Sequence, residues 1–212
     1  MKTRLPLVIG AAALAGGLVL GACGSSDHGS MDMGGSSSDT TAAPVIPADA
    51  AFNATDVAFA QGMIPHHAQA IEMADMALAQ SDDAQVKELA TAIKAAQQPE
   101  IDQLTGWLQA WGQPVPDTTM GMDHSMDGME GMMMSGMMSD ADMDRLGSST
   151  GTEFDRLWLE MMIQHHAGAI SMAQDELSGG KYPDAKAMAQ AIITTQQDEI
   201  NEMDAMLAAM PV

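Results

Sequence analysis

The sequence predicts an all-α protein, an antiparallel four-helix bundle assembled from two duplicated helical hairpins. Three observations carry this expectation: an internal repeat, a helical apolar period within each copy, and short breaks that fold each copy back on itself. Met63-Ile64-Pro65-His66-His67-Ala68 matches Met162-Ile163-Gln164-His165-His166-Ala167 at an offset of 99 residues. The same offset, with no gap, places Asp56 on Asp155, Phe59 on Trp158, Met73 on Met172, Ile93 on Ile192, Gln97-Gln98 on Gln196-Gln197 and Glu100-Ile101 on Glu199-Ile200. A repeat of this size is one structural unit whose apolar face needs the other copy for cover.

Residues 1–22 form a lipoprotein signal peptide. Lys2 and Arg4 supply a positive start, Leu5 to Leu20 an apolar stretch too short for a bilayer span, and Leu20-Gly21-Ala22-Cys23 a lipobox in which Cys23 is the lipidation site. Residues 23–49, rich in Ser, Gly, Asp and Thr, read as a flexible tether. Residues 50–112 are hairpin repeat 1, 113–150 a Met-rich linker and 151–212 hairpin repeat 2, with 50–212 forming one domain.

In the first helix Asp56, Phe59, Met63, His67, Ala70, Ala74 and Leu78 follow three-and-four spacing. Val86, Ala90, Ile93, Gln97, Ile101, Leu104, Leu108 and Trp111 do so in the second, which Gly112 and Pro114 end. The later copy repeats that seam from Ala185 through Ala189, Ile192, Gln196, Ile200, Met203 and Leu207 to Met210. Breaks at Ser81-Asp82-Asp83 and Ser178-Gly179-Gly180 join the helices into hairpins, which pack most simply as a bundle with a pseudo-two-fold axis. Pro65, inside the first helix, deletes one backbone hydrogen bond and is expected to bend the chain beside the His pair.

Composition restricts the function. The chain carries eight basic and 29 acidic residues, and loss of Lys2 and Arg4 with the signal leaves a net charge near −23. A field of that sign excludes nucleic acid as a partner and attracts cations. Cys23 is the only cysteine, so once it is acylated there is no thiol for disulfides, CxxC redox chemistry or thiolate metal sites.

The donors that remain are imidazole, thioether and carboxylate. At about 100° per residue, Asp56, Met63 and His67 stack on one face, whereas His66 lies on its flank. His67 and His166 are therefore the expected interior imidazoles, with His66 and His165 at the groove between helices. Counting outward from the loops sets His67 level with Gln97, and His166 level with Gln196, as hydrogen-bond partners behind the ligands. Each half then contributes an Asp (Asp56, Asp155), a Met (Met63, Met162), a His and a Gln to one interior layer. Met120, Met122, His124, Met126 and Met129 form a second donor set in the glycine-rich linker, which has no helical stripe. Thioether with imidazole favours Cu(I), with Cu(II), Ag(I) and Zn as further candidates. Thioethers also need no deprotonation, which suits an oxidising exterior.

The M-x-x-H-H-A-x-A-I-x-M-A motif, present twice and each time followed by Q-Q-x-E-I, resembles the secreted bacterial domain-of-unknown-function 305 family. The resemblance covers about residues 50–111 and 152–210. It implies a ferritin-like four-helix bundle and extracytoplasmic copper binding and tolerance, with His66, His67, His165, His166, Met63 and Met162 as the positions of interest. Copper binding without enzymatic turnover, lipid-anchored outside the cytoplasmic membrane through Cys23, is the leading expectation. A peptide- or protein-binding module with a structural His/Gln layer is the first alternative. A cuprous oxidase is the second, disfavoured because the inward Glu and Glu-x-x-His ligand set of ferritin-like oxidases is missing.

Overall fold

Asn53 starts the first helix. Its side chain accepts the amides of Thr55 (2.8 Å) and Asp56 (3.1 Å), while Asp56 takes the Asn53 amide in return at 2.6 Å, a reciprocal cap. In the computed structural model, which describes residues 46–117 and 135–211, this helix is α1, Ala54–Gln80, and it runs on through Pro65. Asp83 caps α2, Ala84–Ala110, which also contains a proline, Pro99. Gly112, at φ 65°, ends it, and the Gln113 amide closes the last turn on the Leu108 carbonyl. The later copy folds as α4, Gly151–Gly179, and α5, Pro183–Ala209, the latter with proline in its first turn. Among the described residues there are no strands, and all of them lie within one compact unit.

Two details differ from expectation. Helix α4 continues through Ser178 and Gly179, so its turn comes later, at 180–182. The stretch read as linker also contains a helix, α3, Asp140–Ser148, capped by Ser139 and Asp142 and anchored by the fully buried Leu146. Met138, just before it, is buried as well. The end of the linker is therefore packed structure, and its short amphipathic pattern is hidden in the sequence by the Met, Gly and Asp around it.

The pseudo-two-fold arrangement is visible in how each hairpin grips the other's loop. Asp56, at the start of α1, accepts the backbone amides of Lys181 (2.9 Å) and Tyr182 (2.8 Å) in the α4–α5 turn. Its repeat counterpart Asp155, at the start of α4, accepts the Ser81 hydroxyl of the α1–α2 turn at 2.5 Å. Asn53 adds a bond from Nδ2 to the Gly179 carbonyl.

The antiparallel pairing also divides the core in two. One apolar cluster joins Val57, Phe59, Met63 and Ile64 of α1 to Leu104 and Leu108 of α2, Ala169 of α4 and Ile192 of α5. The other joins Met73 and Ala77 to Val86 and Ile93, Phe154, Trp158 and Met162, and Met203. Trp158 sits fully buried there with its Nε1–H on the Met73 carbonyl at 2.8 Å. Between the clusters α1 and α4 pack against each other, and that is where the histidines fall.

Two expected outcomes follow from the interlocked loops. Residues 50–112 expressed alone leave an apolar face uncovered and should be unfolded or dimeric by circular dichroism and sedimentation, whereas a stable monomer would contradict the shared core. In the mature protein Asp56→Ala strands three backbone amides and should cost roughly 3 kcal/mol in chemical denaturation, against about 1 kcal/mol for Asp155→Ala, which strands one hydroxyl.

Candidate metal centre

The two His-His pairs face one another where α1 crosses α4. The His66 and His165 rings stand 3.8 Å apart between centroids, tilted by 42°, and the His165 and His166 rings 6.5 Å apart. All four imidazoles are buried, with His165 the most exposed at 1 %. The placement of His66 and His165 at a groove is thus corrected: they form the innermost pair. Helix α1 has partners on two sides, α2 for His67 and α4 for His66, so a residue on the flank of one seam lies in the middle of another.

Each outer imidazole is held by a carboxylate. Nε2 of His67 donates to Oε2 of Glu100 at 2.7 Å, and Nε2 of His166 to Oε2 of Glu199, also at 2.7 Å. These glutamates replace the expected glutamines, which lie one turn earlier. Gln97 and Gln196 are buried in the same layer but make no bond to the imidazoles. Counting from the loop fixed the height of the layer; it did not distinguish Gln97 from Glu100, one helical turn apart, of which the ionisable side chain is the stronger acceptor. Both glutamates were visible in the repeat as Glu100 on Glu199.

The result is a row of six side chains, Glu100, His67, His66, His165, His166 and Glu199, between two apolar clusters. It is under-bonded. Both ring nitrogens of His165, Nδ1 of the other three imidazoles, both amide atoms of Gln97 and Oε1 of Gln196 are buried with no hydrogen-bond partner among the described residues. His66 alone of the inner pair has a partner, donating from Nε2 to the Ser135 carbonyl at 3.2 Å. An orphaned buried polar atom costs about 1–3 kcal/mol, and among these eight the imidazole lone pairs and the two amide oxygens are electron-pair donors that a cation would complete. Among the described residues no three His, Asp or Glu donors already converge as a cage.

Electrostatics support the same use. Burial, reinforced by the neighbouring His67, pushes His66 down to about 3. Burial followed by His66 lowers His165 well below the ordinary histidine value. Both rings are neutral at physiological pH, so a metal entering between them displaces no proton.

The remaining expected ligands are not part of this layer. Asp56 lies 11 residues before His67, about 16 Å along the helix at 1.5 Å per residue, and it is bonded to the α4–α5 turn. Asp155 is equally distant from His166 and holds Ser81. Sharing a face is not sharing a layer, so both aspartates are corrected to structural clamps. Met63 and Met162 are fully buried one turn from His67 and His166, each in its apolar cluster. Cys23, Met120, Met122, His124, Met126 and Met129 lie outside the described residues.

One buried acid was missed. Glu176 is fully buried beside Asp56, and Gly180 leaves it room, since a Cβ there would lie 2.0 Å from Oε1. Burial pushes its carboxyl up to about 8, with Asp56 acting in the same sense and Lys186 opposing. The sequence signal was an acid where the other copy has the buried Ala77.

This is an all-α bundle with a central imidazole layer. The chain belongs to the Domain of unknown function (DUF305) family, whose sequence profile it matches over residues 56–207. Among solved structures, a DUF305 protein of Streptomyces coelicolor is similar at 32 % identity, covering 73 % of this chain and 91 % of that one with a TM-score of 0.64. CopM in its Cu(II)-bound form is similar at 33 % identity, covering 72 % and 95 % with a TM-score of 0.60, and CopM was also solved in Cu(I)-bound and Ag-bound forms. Uncharacterized protein L153 of Acanthamoeba polyphaga mimivirus is 43 % identical over 53 residues, which span 25 % of this chain and 35 % of that protein.

The pH dependence of the metal-free protein has two limbs. His66 and His165 bind fewer protons folded than unfolded, so their contribution is complete above about pH 6.5 and is lost as pH falls, for His66 toward about 3. Glu176 binds more protons folded, so its contribution is complete below about pH 4.5 and is lost as pH rises to about 8. Urea denaturation across this range should show both limbs, and Glu176→Gln should remove the alkaline one while leaving the acidic one.

Proposed function

We propose that this protein is an exported, lipid-anchored copper-binding protein that sequesters or buffers Cu(I) without turnover, with His66 and His165 as its central ligands. The observation that carries the reading is the under-bonded layer: two facing neutral imidazoles, of whose four ring nitrogens only Nε2 of His66 has a hydrogen-bond partner among the described residues, enclosed by apolar clusters. Two facing imidazoles with no third acidic or imidazole donor converging on them among the described residues suit Cu(I) and Ag(I), which accept two donors. Zn requires four, and Cu(II) favours a fuller nitrogen and oxygen set. Met63 and Met162, a turn away, are soft donors of the kind that extend such a shell. The similarity to CopM, solved with copper and with silver, supports the same chemistry.

Export and anchoring rest on the lipobox ending at Cys23 and on the Ser- and Gly-rich composition of residues 23–49, which reads as a tether. The thioethers Met120, Met122, Met126 and Met129, with His124, add capacity of variable geometry, whereas the bundle supplies a site of fixed geometry.

Cu(I) titration of the mature protein against a competing chelator tests this division. His66→Leu with His165→Leu should remove the site of fixed geometry. Conversion of Met120, Met122, Met126 and Met129 to Leu should lower the number of ions bound while leaving that site at its parent affinity. Retention of every site at unchanged affinity in the double His variant would overturn the reading.

A further inference from the structure

The two copies of the motif differ at three positions, Pro65 against Gln164, Gln69 against Gly168 and Glu72 against Ser171, and the second of these bears on the histidine pair. Where α1 has Gln69, two residues after His67, α4 has Gly168, two residues after His166. Both residues hold the same piece of chain. Gln69 brackets Met138, donating from Nε2 to its carbonyl at 2.9 Å and accepting its amide at Oε1 at 2.8 Å. Gly168 lets the backbone come down onto α4: a Cβ there would lie 1.8 Å from the Ser135 carbonyl oxygen and 2.8 Å from Gly136 Cα. Gly136 is constrained in return, with φ 84° and a missing Cβ that would meet the Gln164 and His165 carbonyls at 2.6 and 3.0 Å. The 135–138 segment is thereby strapped across α1 and α4 at the His66–His165 pair, with its last residue, Met138, buried.

The strap ends on an imidazole. A carbonyl can only accept, so the bond from His66 to the Ser135 oxygen puts the proton on Nε2. Nδ1 is left with a lone pair, buried and without a partner. This is the role that Glu100 and Glu199 play for His67 and His166, where a carboxylate takes Nε2–H. Such outer partners fix which nitrogen a histidine offers a metal.

We propose that Gln69 and Gly168 are positioning residues that seat the 135–138 strap on the His pair, so that the Ser135 carbonyl fixes His66 with Nδ1 as its coordinating atom and the strap slows ion exchange. The coordinating role rests on the copper-binding reading above; the seating and the tautomer do not. The strap breaks the symmetry of the centre, because His165, its counterpart across the axis, has no strap carbonyl on either ring nitrogen. The two inner imidazoles are thus inequivalent, one oriented by the strap backbone and one not.

The test uses the mature protein labelled with 15N-histidine, with Gln69→Ala and Gly168→Ala as separate variants. Ala is a better helix former than Gly, so Gly168→Ala displaces the strap without weakening α4; Gln69→Ala removes only the two bonds to Met138. In the metal-free parent, the 15N shifts of His66 should report a protonated Nε2 and an unprotonated Nδ1, and diethylpyrocarbonate should modify His66 and His165 slowly. In both variants His66 should become a tautomer mixture, and modification of the pair, located by mass spectrometry, should be at least tenfold faster with the helical circular dichroism retained. With one equivalent of Ag(I), dissociation to a competing thiolate should also be at least tenfold faster. Parent tautomer, modification and exchange rates in both variants would overturn the proposal. If Ag(I) leaves the His66 and His165 shifts of the parent unchanged, the metal reading fails and with it the coordinating role, and the metal-free measurements still decide whether Gln69 and Gly168 seat the strap.

Discussion

The structure depends on the burial of four imidazoles across one helix crossing. Taking that many polar rings out of water is costly unless their nitrogens are used, and the two outer rings are bonded where Glu100 and Glu199 reach in. The inner two are not so compensated. The small side chains around them allow α1 and α4 to approach, and the apolar clusters above and below hold the crossing closed. Stability in this bundle comes from those clusters and from the loop clamps at its ends, which leaves the middle layer free to be shaped by something other than stability.

Duplication explains much of the arrangement. A hairpin that offers one Glu and two His becomes, when paired with its copy, a continuous row of six side chains with the axis between His66 and His165. The clamp residues obey the same symmetry, Asp56 on one turn and Asp155 on the other. Departures from the repeat then mark places where one half has acquired its own task. Gln69 against Gly168 seats the strap; Ala77 against Glu176 puts a protonatable acid beside one clamp and none beside the other.

How much of this was legible in the sequence depended on range. The hairpins, the repeat and the pairing of the two His-His motifs could be read because helical period and an ungapped offset are local, redundant signals. Distances along the helix were also available, and they would have separated Asp56 from His67; angular position alone had grouped them. What could not be read from one seam was which side of α1 meets α4, and this reversed the inner and outer histidines. Helix α3 was obscured by low complexity, although Ser139 followed by Asp142 is the spacing of a capping pair. The close approach of the strap does have a sequence signature in Gly168, a glycine in the middle of a strong helical pattern.

X-ray absorption at the copper edge, on mature protein loaded with one equivalent of Cu(I), tests the His66–His165 pair most directly. The first shell should contain two imidazole nitrogens, with the outer-shell scattering that rings produce, whether or not a thioether joins them. A first shell of sulfur alone would place the first ion among the methionines and contradict the central role of the His66–His165 pair.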